Sequence, residues 1–123
     1  MKTEATIDFQ SDRLPFGSVQ FPEYIPLHTA KALELYLLDG LPPGGFLEAV
    51  LCNNLFRAVA VADSVNQEHL WSITKAVLNI APIAATGSYE NIEKWCEPDN
   101  EERLAFKDRM EKTAMWTKLG TIK

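Results

Sequence analysis

Two histidines are the groups in this chain best suited to pass a proton near neutral pH. His28 falls in the first turn of one predicted helix and His69 in the first turn of another, with Asp63 and Glu68 close to the latter in sequence. A histidine beside a carboxylate is the core of a hydrolytic dyad. The spacing, however, matches no nucleophile or metal motif, and Asp63, Ser64 and Glu68 already suit a helix N-terminus, where side-chain oxygens and negative charge are favoured. No catalytic residue is assigned, and the chain is not expected to be an enzyme.

Metal ligation and thiol chemistry have equally little to build on. Cys52 and Cys96 stand 44 positions apart, and with His28 and His69 they are single ligands on separate elements, without a Cys-x-x-Cys unit or an i, i+4 pair. Both read as reduced thiols of a cytosolic protein, and no metal or cofactor is expected. The run Gly40-Leu41-Pro42-Pro43-Gly44-Gly45-Phe46 is the most distinctive local feature. Its two glycine amides precede a helix start, an arrangement able to hold an anion such as a nucleotide phosphate, so Gly44, Gly45 and Phe46 are a candidate ligand site. The run lacks the Lys-Ser/Thr ending of a P-loop, and its simpler role is a tight corner between helices. Among the tryptophans, Trp71 and Trp95 are expected to pack in the core, whereas Trp116 near the chain end is expected to be available to a partner.

These side chains must be positioned by helices. Leu27, Ala30, Leu33 and Leu37 recur at helical spacing after Pro26, and the stretch ends at Asp39-Gly40. Phe46–Asn53 and Leu55–Ala62 are apolar on most of their circumference, broken by Asn53-Asn54, and are expected in the middle of the core. Ser64 to Gln67 has the form of a capping box, followed by a stripe of Leu70, Ile73, Val77 and Ile80 that Pro82 ends. Ser88 is expected to cap a short helix reaching Trp95, and Asp99 with Glu102 to cap a final amphipathic helix over residues 100 to 118. Residues 1–25 differ from the rest: Ile7/Phe9 and Val19/Phe21 alternate with polar residues between Pro15, Gly17 and Pro22, which predicts an extended arm. An arm with Phe9, Phe16, Phe21 and Tyr24 has to pack on its own domain or on a second subunit, and a homodimer is expected.

The composition sets the class. With 123 residues, 46% apolar and 24% charged, the chain has the profile of one ordinary globular domain. A net charge of −5 disfavours generic binding to nucleic acid. The apolar stretches are interrupted by Glu48, Arg57 and Pro82, so no membrane span is predicted, and the start of the chain does not read as a secretory signal, which points to the cytoplasm. The expected fold is an all-α, compact bundle of about five or six short helices over 26–123, preceded by the extended arm over 1–25.

From Ile25 to Trp95 the chain resembles a family of small, largely uncharacterised phage and prophage proteins. The residues that carry the resemblance are Ile25-Pro26 with Tyr36, Gly40-Leu41-Pro42-Pro43-Gly44-Gly45-Phe46-Leu47, Ala49-Val50-Leu51, Asn54-Leu55, Ala62-Asp63 with Asn66, Asn79 with Ala81-Pro82, Gly87-Ser88 with Glu90, and Trp95. The resemblance implies an accessory protein that binds a host or phage protein and modulates host defence, and it transfers no site residue. The final helix lies outside it, and its Arg103, Lys107, Arg109, Met115 and Trp116 form the expected binding surface. Truncation after Pro98 is then expected to leave a folded remainder. Small-ligand binding at Gly44, Gly45 and Phe46 is the alternative function.

Overall fold

Pro26 has no amide hydrogen to leave unsatisfied, and from it the chain enters α1, Leu27–Asp39. The computed structural model of the protein describes residues 25–122, with side chains as far as Lys112. Gly40 ends α1 in a left-handed conformation (φ 70°), and the Leu41 amide reaches back to the Leu35 carbonyl, a Schellman ending. The proline-glycine run then turns the chain into α2, Gly45–Leu51. Asn53, at φ 62°, and Asn54, whose side chain accepts a hydrogen bond from the Arg57 amide, make the corner into α3, Leu55–Val61. Next come α4, Ser64–Glu68, and α5, Leu70–Ile80, separated at His69. A single 3-10 turn, Ile83–Ala85, leads to α6, Tyr89–Trp95, and α7 runs over Glu101–Ile122. The expected all-α bundle is thus observed among the described residues. The described residues hold seven α-helices against the five or six expected, the fourth predicted helix being broken at His69.

Residues 1–24 of the predicted arm, and with them the predicted homodimer contact, lie outside the described residues. Ile25, its last residue, is fully buried in the core. Two predicted caps shift by one residue. Asp63, not Ser64, caps α4 by accepting from the Asn66 amide at 2.7 Å, and Asn100, not Asp99, caps α7 by accepting from the Arg103 amide at 2.8 Å. Ser88 caps α6 as predicted, through the Asn91 amide. The expected stripe of α5 is only half realised, since Ile73 and Val77 are buried but Leu70 and Ile80 are partly exposed.

The core gathers Leu33, Tyr36, Leu37 and Leu38 of α1, Leu47 and Leu51 of α2, Ile73 and Val77 of α5, Ile92 and Trp95 of α6, and Phe106 of α7. Tyr36, Trp95 and Phe106 form an aromatic row with centroids 6.4 and 6.2 Å apart, the second contact edge-on. Its polar atoms are satisfied internally: Tyr36 Oη donates to the Ala85 carbonyl at 2.8 Å, and Trp95 Nε1 donates to the Tyr36 carbonyl at 3.0 Å. These two bonds hold the 3-10 turn and α6 against α1.

Two elements depart from the expected layering. α3 is not in the middle of the core: of its seven residues only Ala58 is buried, because α2 lies between it and the rest of the bundle. Conversely, α7 is part of the core. Phe106 is 3% exposed and Arg103 5% exposed, so the first two turns of α7 fill the space between the ends of α1 and α6.

Candidate functional site

Of the sequence-predicted surface on α7, the side chains of Arg103, Lys107 and Arg109 are described. The guanidinium of Arg103 is turned inward and donates to four backbone carbonyls: from Nε to Trp95 (2.8 Å), from Nη1 to Leu38 (3.4 Å), and from Nη2 to Glu97 (2.7 Å) and Pro98 (3.3 Å). Leu38 and Trp95 lie in the last turns of α1 and α6, where carbonyls lack helical partners and a cation complements the helix dipole. Arg103 is therefore a structural clamp and is corrected from a binding residue to a core residue. Lys107 pairs with Asp39 at 2.7 Å and fastens α7 to the end of α1. Arg109 is exposed, with its guanidinium 5.7 Å from the centroid of Phe106. Met115 and Trp116 lie beyond the described side chains.

The glycine corner adopts the backbone that the sequence implied, but only at one of its two candidates. Gly44 sits at φ 88°, ψ 164°, a conformation essentially confined to glycine, whereas Gly45 is an ordinary first residue of α2. A cavity of about 180 Å³ beside the corner is lined by His28, Thr29, Gly44, Gly45, Phe46 and Asn66, among others. Two observations oppose its use by an anion. Glu48 occupies the first turn of α2, where its charge already complements the helix dipole, and Thr29 Oγ1 donates to Asn66 Oδ1, so those two polar groups satisfy each other.

His28 faces Asp63. Its Nε2 stands 3.7 Å from Asp63 Oδ2, both side chains more than half exposed, while Asp63 Oδ1 is engaged as the α4 cap. The two thiols are poor nucleophiles: burial pushes both Cys52 and Cys96 above the ordinary thiol range, with Glu48 adding to the effect and Arg57 and Arg103 respectively opposing it. Burial likewise holds the Tyr36 hydroxyl far above its ordinary value. Among the described residues no group of three histidine, cysteine or acidic side chains is placed to hold a metal.

Besides Ile83 of the 3-10 turn, the large apolar side chains most exposed to solvent are on α3 and α5. Phe56 is 87% exposed and Leu55, Val59 and Val61 of the same helix are also in solvent. On α5 the exposed residues are Trp71 and Leu78, each 74% exposed and seven positions apart, so both stand on the outer side of the helix. Trp71, expected in the core, is thus corrected to a surface residue. It lies one step off the buried Ile73–Val77 side, and that step turns it to solvent.

The two helices meet at a small cleft of about 50 Å³, to which α3 contributes Leu55 and Ala58 and α5 contributes Leu70 and Thr74. On its other side Leu55 joins a wide surface depression of about 480 Å³ bounded by Cys52, Asn54, Phe56, Ser88 and Tyr89. Cations sit on the aromatic rings here. The Arg57 guanidinium lies 5.9 Å from the Tyr89 centroid and donates to Tyr89 Oη at 3.2 Å, and Lys75 Nζ lies 5.8 Å from the Trp71 centroid. These exposed apolar side chains are the feature that the sequence reading placed in the core. The available signal was length: a seven-residue helix without a polar face cannot bury every side, so some of its apolar residues must face water.

The chain matches no protein-family model, no curated protein and no solved structure. Among the described residues no helix is long and apolar enough to cross a membrane.

Proposed function

We propose that the protein acts by binding another protein through the outer face of α3 and α5, as a phage- or prophage-type accessory protein working in the host cytoplasm on a host or phage partner. The observation that carries this reading is the exposure of Phe56 and Trp71, at 87% and 74%, on neighbouring helices. Large aromatic side chains in solvent are costly unless used, and they are the residues that dominate protein interfaces. Arg57 and Lys75, held over Tyr89 and Trp71, add polar contacts at the rim. Both helices lie within the part of the chain that resembles phage proteins, which supports the phage setting and a role in modulating host defence.

The test is capture of a binding protein from host lysate by the full-length chain and two full-length variants. Phe56→Ser with Trp71→Ser is expected to abolish capture while the melting temperature is retained. Arg109→Glu with Met115→Ala and Trp116→Ala is expected to leave capture intact. The opposite pattern would return the binding surface to α7.

A further inference from the structure

Charge on α3 and α5 narrows the kind of partner that fits them. The chain carries 17 acidic against 12 basic residues, yet these two helices contain two cations, Arg57 and Lys75, and no acid. Other cations are neutralised within the fold: Lys94, Lys107 and Lys112 stand 3.4, 2.7 and 3.0 Å from carboxylates of Glu90, Asp39 and Asp108. Among the described residues Arg57 and Lys75 have no carboxylate partner and lie instead over the rings of Tyr89 and Trp71. Glu90, next to Tyr89 in sequence, is already taken by Lys94.

The donors of Arg57 point to what is missing. Its Nη1 donates to Tyr89 Oη at 3.2 Å, while Nε and Nη2 have no acceptor among the described residues. Those two nitrogens form the edge of a guanidinium whose parallel N–H bonds match the two oxygens of a carboxylate. A Cβ at Gly45 would stand 3.5 Å from Nη2, so glycine there keeps a side chain off this edge. The depression of about 480 Å³ bounded by Leu55, Phe56 and Tyr89 adjoins the ring on which Arg57 rests.

We propose that the partner protein docks through an acidic, apolar segment. An aspartate or glutamate of that segment takes the Nε–Nη2 edge of Arg57, its apolar neighbours cover Phe56 and enter the depression beside Tyr89, and a second carboxylate meets Lys75 next to Trp71. This partner chemistry rests on the reading of α3 and α5 as an interaction surface. A second copy of the face would bring two more cations and no carboxylate, so charge opposes self-pairing. Two cations on a chain of net charge −5 also make no polybasic field for an anionic membrane or a nucleic acid.

The experiment selects random linear peptides, displayed as a library, on the immobilised full-length protein, and measures the enriched ones as labelled synthetic peptides by fluorescence anisotropy. Enriched peptides are expected to carry Asp or Glu beside aromatic or aliphatic residues. Arg57→Glu is expected to weaken them by about tenfold or more, and Lys75→Glu by less. Gly45→Leu, which leaves every charge in place and obstructs the Arg57 edge, is expected to weaken them too, and melting temperatures check that each variant is folded. A peptide with its acids replaced by lysine is expected to prefer the Arg57→Glu variant to the parent. No enriched peptide, peptides without acids, or acidic peptides indifferent to all three substitutions overturn the proposal. So does Phe56-dependent sedimentation of the protein with phosphatidylserine vesicles, or a dimer in light scattering that Phe56→Ser dissolves. Enriched peptides that lack acids but require Phe56 and Trp71 would defeat the acidic partner alone. Peptides indifferent to Phe56→Ser with Trp71→Ser would defeat the interaction surface itself.

Discussion

Arg103 shows how one side chain can replace several missing helix caps. Its planar fork reaches carbonyls at the ends of α1 and α6 and in the loop before α7, where the Glu97 carbonyl also accepts from the Asn100 amide. Gly40 is tied to the same arrangement. A Cβ there would lie 2.8 Å from Arg103 Nε, and its φ of 70° already favours glycine. Replacing Arg103 by alanine leaves the buried Leu38 and Trp95 carbonyls without the guanidinium and is expected to cost about 2–4 kcal/mol, read as a lowered urea midpoint. Arg103→Lys should recover only part of that loss, because an ammonium group cannot span the same acceptors. Equal stability of the alanine variant and the parent would show that the carbonyls are satisfied in some other way.

At the scale of elements, α3 and α7 exchange the roles that their hydropathy suggests. α3 is apolar along its length yet forms an outer layer on α2, while α7, rich in charge, inserts Phe106 against Trp95. The same substitution on the two helices should therefore differ in effect. Phe106→Ala is expected to cost about 3–5 kcal/mol as a buried aromatic. Phe56→Ala, at 87% exposure, is expected to change stability by less than about 0.5 kcal/mol. Thermal melting of the two variants makes the comparison, and a large loss for Phe56→Ala would mean that α3 is covered tightly enough to count as core.

For the molecule as a whole, the consequence is that the last helix cannot be removed as a module. Truncation after Pro98 deletes Phe106 and the Arg103 clamp together, and leaves Lys107's partner Asp39 unpaired. The combined loss is comparable with the total stability of a small domain, about 5–15 kcal/mol. The truncated chain is expected to lose its cooperative melting transition and the near-ultraviolet circular dichroism of Trp95. A cooperative transition retained after truncation would restore the earlier expectation that residues 26–98 fold alone.

Most helix boundaries were legible in the sequence because they are set by local chemistry. Pro26, Gly40, Asn53-Asn54, Ser88 and Pro82 act on the backbone within a few residues of themselves, and the structure turns or caps at each. Errors of one residue at Asp63 and Asn100 arose where two neighbouring side chains can both accept a capping bond, and the observed cap is the residue whose oxygen reached the amide three positions on. The side chains that face water were decided only by tertiary packing. Phe56 and Phe106 are the same residue with the same intrinsic hydrophobicity, and a seven-residue helix such as α3 has no polar side to mark its outer face. Burial depends on which helices lie alongside, a relation among residues far apart in the chain. For that reason the candidate surface moved from α7 to α3 and α5, and Arg103 moved from a partner's reach to the centre of the fold.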